Sequence, residues 1–249
     1  MEAELISIII PVYNASKYLE DTIQTIKNQT KKEWEAIFVD DASTDNSAEI
    51  IKKHISPQIR LITLKKNHGA AYARNTGIKA AKGRFLCYLD ADDLWHRDKL
   101  KKQYEFMKDK YAFSFTAYEF ADENGRGRGK IVSVPQSITY RQALVNTVIS
   151  TVTVMLDREK ISDDVIMMPL NAAREDTASW WMILKNGYTA YGLNEVLSYY
   201  RRHSGSDSSN KLKAVMGTWR MYRQNEGLSV IQTLNCFTKY IFRAIKRRL

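Results

Sequence analysis

The sequence predicts an α/β fold in which a mostly parallel sheet is flanked by helices, followed by a C-terminal helical appendage. In the first hundred residues, short apolar segments alternate with helix-like segments, a spacing typical of strands that pair in parallel and are covered on both faces. A second observation is that the pattern from about Ser209 onward is helical only.

The elements of the first half follow in regular alternation. Four strands are predicted from short apolar runs: 5–10, 34–40, 60–64 and 85–89. Three helices are predicted between them: from Asn14 or Ser16, from Asn46 through Ile55, and over 69–81. The first helix would bury one stripe, made of Tyr18, Leu19, Thr22, Ile23 and Ile26. The second helix begins with a capping-box pattern, Asn46 with Glu49, and Gly83 ends the third.

The second half is less regular. Helices are predicted at 99–108, 139–148 and 175–185, and strands at 111–120, 151–156, 188–193 and 196–202. Residues 124–130 are predicted to form a turn rich in glycine and arginine. We therefore expect one domain over 1–208, with halves at 1–95 and 96–208, and a helical extension over 209–249.

The composition is that of a globular protein with an anionic partner. The chain of 249 residues is 44% hydrophobic and 27% charged, too apolar for disorder. No apolar run is long enough to cross a bilayer, and the N-terminus lacks a signal-peptide pattern, so a cytoplasmic location is expected. Only Cys87 and Cys236 are present, which argues against a disulfide framework. The net charge of +10 favours nucleic acid, a membrane surface or a phosphorylated substrate as partner.

Two acidic clusters directly follow predicted strands. Ligands of open α/β sheets bind at the carboxyl ends of the strands, so these clusters and residues 11–14 should share one neighbourhood. Asp90 and Asp92 are suited to a hard divalent cation, although aspartates at such positions also cap turns. Asp40 and Asp41 could accept hydrogen bonds from a nucleobase or ribose, or could shape a turn with the Ser and Thr residues that follow.

Two further candidates lie late in the chain. Glu175 and Asp176 begin a predicted helix, where acids are favoured by the helix dipole but could also include a general base. His203 follows the last predicted strand in a basic, polar segment that continues through Ser204, Gly205 and Ser206, and it could ligate a metal or bind phosphate.

Together these segments resemble the inverting family 2 glycosyltransferases of the GT-A fold. The resemblance covers about residues 5–205 and rests on ISIIIPVYNASKYLEDTIQTIKNQT, WEAIFVDDASTDNS, NHGAAYARNTGIKAAKGRFLCYLDADDLW, REDTASWWMILKNG and YRRHSGSDS. It implies that 1–95 is a nucleotide-binding half and 96–208 an acceptor half.

The resemblance implies donor-binding roles for Pro11, Tyr13, Asp40, Asp41, Arg74 and Asp90. Tyr13 would lie beside the base, Asp41 would hydrogen-bond to the edge of a uracil base, and Arg74 would line the diphosphate region. Asp92 would be the ligand of Mn²⁺ or Mg²⁺, and His203 would reach the metal or the diphosphate.

On the acceptor side, the resemblance implies that Asp176 is the catalytic base and that Glu175 contacts the acceptor. Trp180 would pack the helix that carries the base. A single displacement would invert the anomeric configuration. The QxxRW motif of processive members is absent, so one sugar is expected per encounter. Relatives of this small type imply surface polysaccharide assembly, such as O antigen or capsule, on a polyprenyl-diphosphate-linked acceptor.

The C-terminal segment has a basic amphipathic pattern. A helical projection places on one face Leu234, Phe237, Ile241, Phe242, Ile245 and Leu249, and on the other Lys239, Arg243, Lys246 and Arg247. Such a helix could lie in the interface of an anionic membrane, which would place the protein on the cytoplasmic face of the inner membrane. It could equally pack its apolar face on the catalytic domain.

Two other classes of protein are considered. A nucleotidyltransferase could also use paired acids on an α/β sheet, but PVYNAS after the first strand has no glycine-rich phosphate loop. A non-enzymatic basic module that binds nucleic acid or membrane would explain the charge. It leaves the acidic clusters unexplained, so no nucleic acid partner is expected.

Overall fold

The computed structural model describes residues 2–203 and 211–246, with side chains described for 4–203 and 215–243. The strands are β1 (Glu2–Val12), β2 (Trp34–Asp40), β3 (Ile59–Thr63), β4 (Gly83–Tyr88), β5 (Leu94–Trp95), β6 (Phe113–Ala121), β7 (Gly127–Val132), β8 (Ser137–Ile138), β9 (Met155–Asp157) and β10 (Ala190–Arg201). The helices are α1 (Ser16–Lys27), α2 (Ser47–Lys52), α3 (Ala70–Ala80), α4 (Lys99–Met107), α5 (Tyr140–Ala143), α6 (Asp163–Ile166), α7 (Glu175–Lys185), α8 (Lys211–Arg220) and α9 (Val230–Lys246).

One mixed sheet runs through the molecule in the order β3-β2-β1-β4-β9-β6-β10-β5, with β7 on β6 and β8 on β10. The first four long strands pair in parallel, as predicted. β9 is antiparallel to both of its neighbours, β4 and β6, and β10 runs parallel to β6. The predicted α/β class is confirmed, and the antiparallel pairings are concentrated in the second half.

The central strands are buried on both faces because helices cover each side. Along β1, Ile9 faces one core, while Ile8 and Ile10 face the other. The first core carries α3 and α7, and the second carries α1 and α4. The buried stripe predicted for α1 is present in full.

Several predicted boundaries were wrong in the first half of the chain. α2 ends at Lys52 and leaves Ile55 56% exposed. Pro57 is close behind and disfavours helical backbone before it. The capping box at Asn46 does not form, because the carboxylate of Asp45 accepts the Ser47 amide instead.

The second half also differs in detail. The helix predicted at 139–148 is limited to α5, since the following residues include the β-branched Val145, Thr147 and Val148. The strand predicted at 151–156 is a 3₁₀ turn followed by β9. The two strands predicted between 188 and 202 are a single strand, β10, with an irregular register between Leu193 and Ser198.

The described part of the C-terminal extension packs on the core that carries α7. After α8, the π-helical segment Met221–Asn225 buries Met221 and Tyr222 completely. The Tyr222 ring stacks on Trp181 of α7 at a centroid distance of 5.4 Å, and its hydroxyl donates to the Leu144 carbonyl. The predicted boundary at residue 208 stays a prediction, because residues 204–210 lie outside the described residues.

Candidate active site

The loops after β1 and β2 are bonded to each other at the carboxyl edge of the sheet. The Asn14 amide donates to Ser43 Oγ at 3.0 Å, and the Thr44 amide donates to Asn14 Oδ1 at 2.8 Å. The first turn of α1 is capped from the neighbouring loop, since the Ser16 amide donates to Asp45 Oδ2 at 3.0 Å. The Ser, Thr and Asp residues of the second loop therefore hold the two loops in shape, which is the structural role that the sequence left open for them.

Pro11 and Tyr13 lie at the end of β1 beside this edge. Pro11 is opposite Val39 in the parallel ladder, and Tyr13 leaves 52% of its surface exposed. Asn14 and Ala42 both have left-handed backbone, with φ of 49° and 59°. At Ala42 this conformation would favour glycine, and it explains how the loop turns tightly after Asp41.

Asp40 and Asp41 are both buried, at 2% exposure. Asp40 Oδ1 accepts the Ser43 amide at 3.2 Å. Asp41 accepts the backbone amides of His68 and Gly69, at 2.9 and 2.7 Å, just before α3. A carboxylate oxygen can accept more than one hydrogen bond, so Asp41 retains the capacity to bind a base edge.

The loop carrying Asp90, Asp92 and Asp93 follows β4 and is anchored from α1. The Thr22 hydroxyl lies 2.9 and 3.0 Å from the carbonyl oxygens of Ala91 and Asp93. Asp93 is buried, and its Oδ1 accepts the Arg201 amide at 2.8 Å. Asp93 thereby ties this loop to β10, and burial with nearby carboxylates raises its pKa well above the usual range.

Arg74 joins the loop after β4 to the start of α7. Its Nη2 donates to Asp90 Oδ1 at 2.6 Å, and its Nη1 lies 3.8 Å from Glu175 Oε1. Burial opposes the charge of Arg74, but the carboxylates of Asp90, Glu175 and Asp176 outweigh it and raise the pKa of the guanidinium. Among the described residues, the buried Nε and Nη1 atoms have no hydrogen-bond partner. A buried cation with unmet donors is suited to an anion such as a diphosphate.

Asp92 and His203, to which the resemblance assigns roles at a metal, lie close together. His203 Nε2 lies 2.8 Å from Asp92 Oδ2. Burial and then the carboxylate of Asp90 raise the pKa of Asp92, while the contact with His203 offsets part of the rise. Clustered carboxylates that repel each other in this way are suited to a divalent cation. The residues that follow in the predicted polar segment, Ser204, Gly205 and Ser206, lie outside the described residues.

Metal ligation at this place would be incomplete without substrate. In the described part of the chain, no three His, Cys, Asp or Glu side chains are grouped so that they could hold a metal ion. Asp92 with His203 is a two-ligand set, which leaves positions for phosphate oxygens and water. Mg²⁺ is commonly bound in this manner beside nucleotide phosphates, and the residues present therefore fit the ion.

Glu175 and Asp176 form the first turn of α7. Asp176 Oδ1 accepts the Thr177 amide at 2.6 Å and lies 3.2 Å from the Thr177 hydroxyl, which fixes the orientation of the carboxylate. Trp180 is buried between Tyr88 and Phe113, at ring distances of 5.6 and 5.7 Å, in the packing role expected of it.

Sequence reasoning missed the residues that support this site. Arg201 is 2% exposed, donates to the Glu123 carbonyl at 2.9 Å and lies 4.8 Å over the Tyr18 ring. The Tyr18 ring in turn lies 4.7 Å from His203. The alternation of side chains along a strand could have placed Arg201 inward, because its neighbours Tyr200 and Arg202 point the other way.

An α/β sheet with carboxylates at the ends of β2 and β4, and a further acid pair opening α7, is the arrangement expected of the GT-A fold of glycosyltransferases. The same fold is found in solved structures. The crystal structure of S. aureus TarS 1–349 in complex with UDP-GlcNAc is similar with a TM-score of 0.69 at 20% identity, over 95% of this chain and 71% of that one. A mannosyltransferase from Pyrobaculum calidifontis, in complex with GDP-Man and Mn²⁺, is similar with a TM-score of 0.71 at 19% identity, over 90% of this chain and 64% of that one.

Sequence similarity then gives the family. Residues 7–166 match the family described as Glycosyl transferase family 2. The chain is 44% identical, over 98% of each chain, to TuaG of Bacillus subtilis (strain 168), a glycosyltransferase assigned to teichuronic acid biosynthesis. It is 38% identical, over 88% of this chain and 85% of the relative, to the Escherichia coli UDP-Glc:alpha-D-GlcNAc-diphosphoundecaprenol beta-1,3-glucosyltransferase WfgD. The chain belongs to glycosyltransferase family 2, which sets aside the nucleotidyltransferase and non-enzymatic alternatives.

Proposed function

We propose that this glycosyltransferase moves one sugar from a UDP-sugar to an acceptor hydroxyl by a single inverting displacement that depends on Mn²⁺ or Mg²⁺. The observation that carries the proposal is the position of Arg74. Its guanidinium donates a hydrogen bond to Asp90 in the loop after β4 and lies beside Glu175, the neighbour of Asp176. The loop proposed to bind the donor and the helix proposed to carry the base therefore meet at one buried cation.

The nucleoside would bind between the first two loops. Tyr13 offers an exposed ring beside the base, with Pro11 beneath it at the sheet edge. Asp41, oriented by the amides before α3, would accept the N3–H of uracil, and Asp40 supports the same pocket. Guanine and thymine nucleotides remain alternatives for the donor panel below.

The diphosphate would lie between Arg74 and the Asp90–Asp92 loop. Arg74 would donate its unmet Nε–H and Nη1–H to phosphate oxygens, and Asp90 would keep the guanidinium in place. Asp92 and His203 would hold the divalent cation, whose chemistry is to neutralise charge on the departing nucleoside diphosphate. Charge that develops on the leaving group is therefore met by groups already in position.

Asp176 would act as the general base. The Thr177 donors bind its Oδ1 and thereby fix the carboxylate, which leaves the other oxygen to take the proton of the acceptor hydroxyl. The deprotonated oxygen of the acceptor then attacks the anomeric carbon from the face opposite the diphosphate. The C–O bond between the anomeric carbon and the diphosphate breaks, and the configuration inverts. Glu175 would contact the acceptor at the same helix end.

The acceptor is proposed to be a glycan on a polyprenyl diphosphate, used in assembly of a surface polysaccharide such as O antigen or capsule. WfgD and WfaP, at 38 and 39% identity, are named for an acceptor of the diphosphoundecaprenol type. No helix among the described residues is long and apolar enough to cross a bilayer. Since the proposed acceptor is lipid-linked, we propose that the enzyme meets it peripherally at the cytoplasmic face of the inner membrane.

A panel of UDP-, GDP- and dTDP-sugars, offered with a synthetic lipid-diphosphate acceptor and Mn²⁺, tests the proposal. We expect transfer from a UDP-sugar, loss of transfer with EDTA, and a product whose new linkage has the opposite anomeric configuration by NMR. Retention of configuration would refute the single displacement, and preference for a GDP- or dTDP-sugar would refute the assignment of a UDP-sugar as donor.

A further inference from the structure

Helix α9 has two faces, and within the described residues only one of them is covered. The inward face packs against the extension and the core of the domain through Thr233, Cys236, Phe237 and Tyr240. Phe237 makes an edge contact with Trp219 of α8 at 5.3 Å. This packing corrects the simple projection of the sequence, which placed Phe237 on the same face as Leu234 and Phe242.

The outer face of α9, defined here as Ile231, Leu234 and Phe242, is apolar and exposed. The exposed fractions are 81% for Ile231, 48% for Leu234 and 71% for Phe242. Phe242 follows Ile231 by about three helical turns, so the three side chains form one row along the helix. Exposed large apolar side chains in a row mark an interaction surface.

A basic row lies beside the outer face. Lys239 and Arg243, one turn apart, are both exposed. The last eleven residues of the sequence contain five basic residues and no acidic one. An apolar row flanked by lysine and arginine is the pattern of a helix that lies in the interface of an anionic membrane.

We infer that the outer face of α9 docks on an anionic lipid surface, with Ile231, Leu234 and Phe242 inserted between headgroups and Lys239 and Arg243 bound to lipid phosphates. A second copy of this chain is a poorer occupant. Antiparallel pairing of two such helices would bring their basic rows together, whereas anionic headgroups neutralise those rows.

The way the extension packs gives this docking a consequence for the site. α8 lies against the segment that leads into α7: Arg174 Nη1 donates to Thr218 Oγ1 at 3.2 Å, and a Cβ built on Gly217 would lie 3.3 Å from Arg174 Cγ. A docked α9 would thus be joined, through α8, to the segment that leads into Glu175 and Asp176. This step rests on the proposed function, because it explains how a lipid-linked acceptor would reach the base.

Vesicle flotation of the full-length protein tests the inference. Binding is measured to phosphatidylcholine vesicles with and without phosphatidylglycerol, at low and high salt. We expect binding only to the anionic vesicles, weakened by salt. Ile231→Ser/Phe242→Ser should reduce the partition coefficient at least about tenfold, and Lys239→Gln/Arg243→Gln about 30-fold at low salt.

Matched controls carry the same changes elsewhere. Ile55→Ser/Ile131→Ser removes two isoleucines that are 56 and 53% exposed, and Lys101→Gln/Lys110→Gln removes two exposed charges. Each control should bind vesicles like the unchanged protein, and circular dichroism should show all variants folded. Equal binding by outer-face and control variants would overturn the inference.

Two further measurements distinguish lipid docking from dimerisation and from failure of the proposed function. If sedimentation shows a dimer that Ile231→Ser/Phe242→Ser converts to a monomer, the outer face is covered by a second copy and lipid docking is refuted. Transfer to a water-soluble acceptor analogue should be unchanged in the outer-face variant. If no sugar nucleotide supports transfer while vesicle binding behaves as expected, the proposed function fails and the docking surface stands.

Discussion

Arg74 shows how a single buried side chain can connect two parts of a site that are far apart in sequence. It lies on α3, bonds Asp90 after β4 and neighbours Glu175 at the start of α7. A buried guanidinium without its carboxylates would be costly, and the carboxylates without it would repel. The same cation thus stabilises the site and, in the proposed mechanism, would also donate to the leaving group.

In the proposed mechanism, Asp176 is the residue on which the chemical step depends. Asp176→Asn should lower kcat by at least about 10²-fold, because an amide cannot take the acceptor proton. The affinity for UDP should be unchanged, since Asp176 would contact the acceptor rather than the nucleotide. Steady-state kinetics and calorimetric titration with UDP give the two quantities. Transfer near the level of the unchanged enzyme would remove Asp176 as the base.

Asp92 should govern metal affinity. Asp92→Ala is expected to weaken Mn²⁺ binding, measured calorimetrically in the presence of UDP, by roughly 10–100-fold, since His203 would be left as the only protein ligand. Asp164→Asn, an exposed acid on α6, serves as the control and should bind Mn²⁺ normally. If Mn²⁺ affinity is the same in both variants, the ligand role of Asp92 is excluded.

At the scale of elements, Glu35 links three strands at the end of the sheet opposite the site. Its carboxylate accepts the Ser7 hydroxyl at 2.7 Å, the Lys82 amide at 2.7 Å and Arg60 Nη2 at 2.6 Å. Burial alone would raise the pKa of Glu35, but these hydrogen bonds more than offset it and lower the pKa below its ordinary value of 4.5. Glu35 is therefore ionised and bonded at neutral pH.

This lowered pKa makes stability depend on pH in one direction. Ionised Glu35 contributes stability above about pH 4.5, and the contribution is lost as the pH falls through the lowered folded value. Glu35→Gln should cost about 1–3 kcal/mol at pH 7 and progressively less in acid, as measured by urea unfolding. Glu105→Gln, in an exposed pair with Lys108, should change stability by less than about 0.5 kcal/mol. A cost for Glu35→Gln that is equal at pH 7 and pH 3 would contradict this account.

Long elements in either half of the chain follow from local sequence, whereas short elements depend on tertiary contacts. β2 and α7 begin and end where the apolar pattern does, at Trp34–Asp40 and Glu175–Lys185. The loop acids could be placed because parallel strands bring their carboxyl ends to one edge. The course of β9, by contrast, is set by its neighbours β4 and β6, and no local pattern of three residues shows that it enters the middle of the sheet.

The long-range contacts that hold the site in place could likewise not be predicted from the sequence. Thr22 falls within the buried stripe of α1, but only the fold brings the Asp90–Asp92 loop to its hydroxyl. Arg201 is one of two adjacent arginines, and its burial depends on the turn at Glu123 and on Tyr18. Contacts between residues about 70 to 180 positions apart cannot be deduced from periodicity.

At the scale of the whole molecule, the extension and the catalytic domain share one core. Tyr222→Ala should lower the free energy of unfolding by about 3–5 kcal/mol, because the ring is buried against Trp181. In calorimetry, unfolding of this variant should remain a single transition, with a lower midpoint temperature. Tyr222→Phe keeps the ring and should cost only about 1 kcal/mol. Two separate transitions in the unchanged protein would show that the extension folds by itself.

The position of β9 has a consequence for turnover. β9 is bonded to β4 on one side and to β6 on the other, so hydrogen bonds run without a break from the strands of the first half of the chain to those of the second. Hinge closure requires a segment that can absorb large backbone rotations between two bodies, and a continuous ladder prevents it. We therefore expect turnover without the opening and closing of two lobes, and we expect product release to depend on local rearrangement of loops.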